Sequence, residues 1–139
     1  MTLTHEDKQQ VARLAGFEMG RRSFQKFLPY VRVIEPGTGM VELRDWPHLQ
    51  KAITTMDDSR MVIWAKSRQI GITTILSAYV LHHASFTPNA LALVFSKGER
   101  DAWEFLSKSR ATYESLPAEL QQPLAQPDNR EQLTFASGS

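Results

Sequence analysis

Cysteine is absent from this chain of 139 residues, and its absence removes several classes of chemistry together. Without cysteine there are no disulfide bonds, no thiolate metal sites and no cysteine nucleophile. Long apolar runs are also lacking, so no stretch of the sequence reaches the length that spans a bilayer. The polar start MTLTHEDKQQ matches neither a signal peptide nor a transit peptide. These absences are compatible with residence in a cytoplasm.

The chain also lacks a strong charge of one sign, since its formal net charge is +1. Hydrophobic residues make up 42% and charged residues 22%, a balance typical of a globular domain with its own core. Any contact with nucleic acid therefore has to come from a local basic patch. The cluster Arg21, Arg22 and Lys26 is such a patch, although this pattern is more typical of a solvated helix face.

The first part of the chain, residues 1–29, is predicted to be a helical segment. Thr4 and Asp7 form the pattern of a capping box, and Pro29 ends the helical spacing. The second part, residues 30–139, begins with a predicted hairpin whose turn is Pro36-Gly37-Thr38-Gly39.

Helical and buried-strand patterns then alternate along the second part, with Asp45 as a cap before the first helix. This alternation predicts an α/β domain whose largely parallel sheet is flanked by helices. Right-handed crossovers would place the loop after the first buried strand at the ligand-binding edge of that sheet. The helices are predicted over 47–56, 73–85 and 97–116, and the buried strands over 61–65, 90–95 and 131–136.

The loop between the first buried strand and the next helix is the informative motif, KSRQIGITT over residues 66–74. A phosphate-binding loop has Gly at its first and sixth places, Lys at the seventh and Ser or Thr at the eighth. Gly71 and Thr73 fill the sixth and eighth places here, whereas Lys66 replaces the first glycine and Ile72 replaces the lysine. The pattern alone also fits an ordinary connection between a strand and a helix.

Each residue type in this loop has a use in phosphate chemistry. The amides and dipole at the start of a helix attract phosphate oxygens, and Gly71 allows close backbone approach. The hydroxyl of Thr73 is suited to Mg²⁺, and Lys66 can supply charge from the opposite end of the loop. Arg68 can neutralise charge that develops on a transferred phosphoryl group.

The blocks VIWA, KSRQIGITT, SKGERDAWEFLSKSR and NREQLTFASGS resemble the ATPase domain of large terminase subunits from tailed phages. These motors push double-stranded DNA into procapsids, and the resemblance covers residues 27–139. It implies a P-loop NTPase-like fold, ATP and Mg²⁺ as cofactors, and the host cytoplasm as the location. It also implies dsDNA, the small terminase subunit and the portal or procapsid as partners, and a homo-oligomeric ring in the full-length protein, with no membrane partner.

Some terminases carry the loop lysine at the start of the loop, which is the position of Lys66 in this chain. By the same resemblance, Thr73 is the Mg²⁺-side hydroxyl, Arg68 the catalytic arginine and Gln50 the residue that recognises adenine. The cofactor-binding set implied by the resemblance is Gln50, Lys66, Ser67, Arg68, Gln69, Ile70, Gly71, Ile72, Thr73 and Thr74.

The chain departs from the family in one large respect. P-loop ATPases need an Asp after a buried strand for Mg²⁺, usually with a neighbouring Glu, and neither 61–65 nor 90–95 is followed by that pair. The ATPase domain is therefore expected to be incomplete, the family's nuclease domain is absent, and we do not expect hydrolysis by this chain alone. The alternative is a non-hydrolysing P-loop remnant or adaptor that binds DNA or another packaging subunit.

Overall fold

A computed structural model of the chain describes residues 4–35, 37–44, 46–125 and 129–139. The chain is 55% helical, and its helices surround a core to which one short hairpin is attached. The elements are α1 (His5–Arg22), α2 (Phe24–Phe27), β1 (Arg32–Glu35), β2 (Gly39–Glu42), α3 (Pro47–Asp58), α4 (Ile72–Phe86) and α5 (Glu99–Ser115), with single 3-10 turns at Leu28–Tyr30 and Ala118–Leu120.

The start of α1 confirms the predicted capping box. The amide of Asp7 donates to Thr4 Oγ1 at 3.2 Å, and the amide of Thr4 donates to Asp7 Oδ2 at 2.9 Å. The predicted helical segment is broken once, because Ser23 is extended with φ −139° and the chain restarts as α2 at Phe24. This break turns the aromatic residues of α2 towards the core.

The predicted hairpin is confirmed as the antiparallel pair β1–β2. Arg32 lies opposite Glu42, and Glu35 lies opposite Gly39 at the turn. Gly37 and Gly39 have φ of +81° and +91°, which only glycine adopts at little cost. The predicted turn residue Pro36 and the predicted cap Asp45 lie outside the described residues.

The middle of α4 lies at the centre of the core. Ile75, Ala78 and Leu81 recur at helical spacing, and each is at most 2% exposed. Phe27 from the first part of the chain and Phe135 from near its end are buried in the same cluster. Residues from both sides of the predicted boundary at residue 29 therefore share one core.

A half-buried histidine joins the end of α1 to α4. His82 Nε2 lies 2.9 Å from the carbonyl oxygen of Gly20, and its ring packs against Phe24, Phe27 and Phe86. Burial lowers the pKa of His82, although its bond to the Gly20 carbonyl opposes this shift. The neutral imidazole is thus the form that suits this position.

The predicted P-loop NTPase-like fold with a largely parallel sheet is wrong. Among the described residues the sheet has two antiparallel strands, β1 and β2. The apolar segments 61–65 and 90–95 pair with no strand, and Ile63 and Phe95 are 90% and 88% exposed. The third predicted strand, 131–136, meets the chain near Leu124 in one antiparallel bridge instead of a parallel ladder.

The physical reason is that an apolar run specifies burial only when neighbouring strands cover it. A parallel strand inside a sheet needs a hydrogen-bonded neighbour and helices on its faces. Segments 61–65 and 90–95 have apolar side chains but no such neighbour within the described part of the chain. The helices were easier to predict because each makes its own backbone hydrogen bonds.

Candidate functional site

The loop that precedes α4 has an unusual backbone. Gln69 and Gly71 both have positive φ, +60° and +82°, with Ile70 between them. Gly71 is the N-cap of α4, and no side chain caps the helix there. The first amides of α4 therefore keep their hydrogen-bonding capacity and the positive end of the helix dipole.

This helix start opens onto a cleft of about 470 Å³. The loop forms one wall, the hairpin and the residues after it form the other, and Lys108 of α5 closes one side. Its size falls in the range of small-molecule sites, about 300–1,000 Å³. The predicted loop residues that line the cleft are Lys66, Gln69, Ile70, Gly71, Ile72, Thr73 and Thr74.

Two lysines bring positive charge to the cleft. The Nζ of Lys66 lies 3.5 Å from the carbonyl oxygen of Ser67, a weak contact that leaves the exposed ammonium able to turn elsewhere. Lys108 is also exposed, and it lines the cleft and a neighbouring pocket together with Thr74. Lys108 was not predicted from the sequence, because it lies 34 positions beyond Thr74 on another helix.

Three predicted site residues lie apart from the lining of this cleft. Ser67 and Arg68 are exposed in the loop and are not among the residues that line it. Gln50 lines a separate cavity of about 150 Å³, whose wall includes Leu49 and Arg44, as does that of the cleft. The adenine role of Gln50 and the catalytic role of Arg68 stay predictions.

The structure adds a residue that holds the loop in place. His48 Nε2 of α3 lies 2.8 Å from the carbonyl oxygen of Ile70, and its ring packs against Trp46 with centroids 5.4 Å apart. This contact fixes the peptide between the two positive-φ residues. Exposed histidines give no sequence signal for such a role, because the contact joins residues 22 positions apart.

Oxygen ligands suited to Mg²⁺ also line the cleft. Mg²⁺ is usually held by one or two carboxylates together with the phosphates of a substrate. Thr73, Glu35 and Glu42 are among the residues that line the cleft, and hydroxyl and carboxylate oxygens are donor types that suit the ion. Within the described ranges no group of three or more His, Asp or Glu side chains is placed to hold a metal ion.

The basic cluster predicted at the end of α1 is partly neutralised. Arg22 Nε lies 2.9 Å from Glu18 Oε1, and Arg21 Nη1 lies 3.9 Å from Glu18 Oε2. Arg21 also donates through Nη2 to the carbonyl of Glu119. Less free charge remains here than the sequence indicates.

No protein-family model matches this chain, and a search of curated proteins finds no similar one. In the part of the chain that the structure describes, no helix has the length and apolarity to cross a membrane.

Proposed function

We propose that this chain binds the phosphates of a Mg²⁺-nucleotide, ATP by preference, in the cleft at the start of α4. The observation that carries the proposal is the uncapped helix start after Gln69 and Gly71, which opens onto a cleft that Lys66 and Lys108 both line. Uncapped amides and a helix dipole bind phosphate oxygens without a parallel sheet behind them. The corrected fold therefore leaves this chemistry intact.

The residues divide the work by their chemistry. The amides of Ile72 and Thr73 would donate hydrogen bonds to phosphate oxygens, and the two lysines would neutralise the phosphate charge. Thr73 and one of the hairpin glutamates would hold Mg²⁺, which would neutralise phosphate charge when bound. These residues bind and orient the phosphates.

The biological role that we propose is the nucleotide-binding portion of a viral DNA-packaging motor, the ATPase lobe of a terminase large subunit. It is supported by the sequence blocks VIWA, KSRQIGITT and SKGERDAWEFLSKSR, with the lysine at the start of the loop. In this role ATP binding would drive dsDNA translocation in the full-length protein. The small subunit, the portal or procapsid and a ring of copies would be its partners in the host cytoplasm.

Calorimetric titration with Mg²⁺-ATP, paired with thermal unfolding, tests the binding step. We expect one site per chain, and stabilisation by about 2.7 kcal/mol at a hundredfold excess over the dissociation constant. Lys66→Ala, Lys108→Ala and Thr73→Ala should each weaken binding at least fivefold. Lys97→Ala removes an exposed lysine two residues before α5 and is the matched control.

Absence of binding at millimolar nucleotide would overturn the proposal. Titration with duplex DNA in the same buffer would then test the alternative, an adaptor that binds DNA through the end of α1. Arg22→Ala should weaken that DNA binding if the adaptor reading is correct, since this exposed arginine lies at the surface of the cluster.

A further inference from the structure

The segment 90–95, Ala-Leu-Ala-Leu-Val-Phe, is an apolar stretch exposed on the surface. Leu91 is 79%, Leu93 is 66% and Phe95 is 88% exposed. Val94 is only 38% exposed, so from Leu93 to Phe95 exposure alternates as along an extended strand. Exposed apolar residues clustered in this way mark an interaction surface more often than single ones do.

The backbone amides and carbonyls of residues 91–95 also lack backbone hydrogen-bond partners among the described residues. Behind the segment a groove of about 520 Å³ separates residues 90–94 from residues 131–135, with α4 and α5 as its floor. Both edges of the segment are thus open to another backbone.

We propose that segment 90–95 pairs antiparallel with the same segment of a second copy of this chain. An occupant must satisfy a row of amides and carbonyls and also cover leucine and phenylalanine side chains. An extended apolar strand does both, whereas a lipid surface leaves the backbone groups unsatisfied.

A second copy is the occupant that the sequence of the segment fits. Two-fold antiparallel pairing centred on Leu93 brings Leu91 of each copy opposite Phe95 of the other, so every cross-strand pair from residue 91 to residue 95 is apolar. The segment carries no charge, proline or glycine, and nothing within it repels a copy of itself. Strand edges of this kind are the ones that proteins otherwise protect.

The area involved sets the strength of the dimer. An aromatic side chain buries about 150–250 Å², and covering the whole segment on both copies removes on the order of 1,000 Å² from water. That value is at the lower limit for a specific interface. The dimer should accordingly be weak and should dissociate on dilution in the micromolar range.

Sedimentation velocity of the whole chain at concentrations from about 5 to about 500 µM measures the dissociation constant of this dimer. We expect a reversible step from monomer to dimer. Leu93→Lys should raise the dissociation constant at least tenfold, because it places two like charges together at the centre of the pair. Val11→Lys makes the same charge change at an exposed apolar residue of α1 and should leave the equilibrium unchanged.

Two further variants separate strand pairing from general apolar adhesion. Ala92→Pro and Leu93→Pro each remove one backbone donor, and adjacent donors point to opposite edges of a strand. One of the two should abolish the dimer while the monomer keeps its fold, because these donors bond to none of the described residues of the monomer.

Three results would overturn the proposal. The first is a monomer throughout the concentration range, and the second is open-ended growth instead of a dimer. The third is a dimer that Ile63→Lys dissociates and Leu93→Lys does not, which would assign the contact to segment 61–65, where Ile63 is 90% exposed.

Discussion

At the scale of single residues, the backbone of Gly71 decides whether the candidate site exists. Its φ of +82° lies in the left-handed region, and an added Cβ would meet only Leu49 side-chain carbons at 3.5 and 3.6 Å. The space is therefore adequate, and the obstacle to substitution is the backbone conformation. At Gly71 the effect of backbone strain can therefore be measured without a steric clash of the added Cβ.

Gly71→Ala should lower the free energy of unfolding by about 1–2 kcal/mol, the usual cost of a left-handed conformation for a residue with a Cβ. It should also weaken Mg²⁺-ATP binding, because the strain is relieved most easily by turning the amides of the loop. Chemical denaturation and calorimetry measure the two effects. Gly98→Ala, at a glycine with negative φ and open space around it, is the control. Equal effects at both positions would argue against a special backbone at Gly71.

His82 makes stability depend on pH in one direction. Burial lowers its pKa in the folded chain, so the unfolded chain takes up a proton first as the pH falls below the ordinary histidine value of 6.5. Stability from the neutral imidazole is therefore complete above pH 6.5 and is lost as the pH falls below it. We expect denaturant midpoints to drop between pH 7.5 and pH 5.5, and His82→Gln to reduce that drop. His5→Gln, at an exposed histidine, should leave the drop as in the wild type, and an unchanged drop in His82→Gln would contradict this account.

At the scale of elements, α3 supports the loop that leads into α4. One side-chain hydrogen bond from α3 to that loop joins His48 to the carbonyl oxygen of Ile70. Losing one such bond costs about 0.5–1.5 kcal/mol. The effect should appear mainly in ligand binding, since the loop is exposed.

His48→Ala should therefore weaken Mg²⁺-ATP binding about two- to tenfold and speed amide hydrogen exchange at residues 69–71. His48→Asn keeps a donor near the Ile70 carbonyl and should recover part of the loss. Unchanged affinity with faster exchange would show that the bond holds the loop without positioning it for the ligand.

A comparison of predicted and observed elements shows which features the sequence alone predicts. The capping box at Thr4 and the helical spacing around Ile75 carry local information, and the predicted helices appear within two residues of their predicted ends in α3, α4 and α5. The break falls at Ser23, which is neither proline nor glycine, so it was not predicted from the sequence. The loop residues that line the cleft were predicted by their own motif. Lys108 and His48 were missed because both reach the site through tertiary contacts.

At the scale of the whole molecule, the core is built mainly from helices, and Ile63 and Phe95 of two predicted strands lie outside it. Phe27 is fully buried beside His82 and Phe86, whereas Ile63 and Phe95 are almost fully exposed. A parallel-sheet fold predicts the reverse for Ile63, which would be a central core residue. Stability measurements on variants of Phe27 and Ile63 therefore distinguish a helical core from a parallel-sheet core.

Phe27→Ala should lower the free energy of unfolding by about 3–5 kcal/mol, because it leaves a cavity that the aromatic neighbours cannot fill. Ile63→Ala should change it by less than about 0.5 kcal/mol, as at other exposed positions. Both are measured by denaturant titration at low micromolar concentration, where the monomer dominates. A loss at Ile63 comparable with that at Phe27 would contradict the helical core described here.

Nuclear magnetic resonance of the ¹⁵N-labelled chain, titrated with Mg²⁺-ATP, tests the phosphate site most directly. The account predicts saturable shifts that are largest at the amides of Gly71, Ile72, Thr73 and Thr74, with smaller shifts along the hairpin. Shifts confined to the basic end of α1, or none at millimolar ligand, would contradict it.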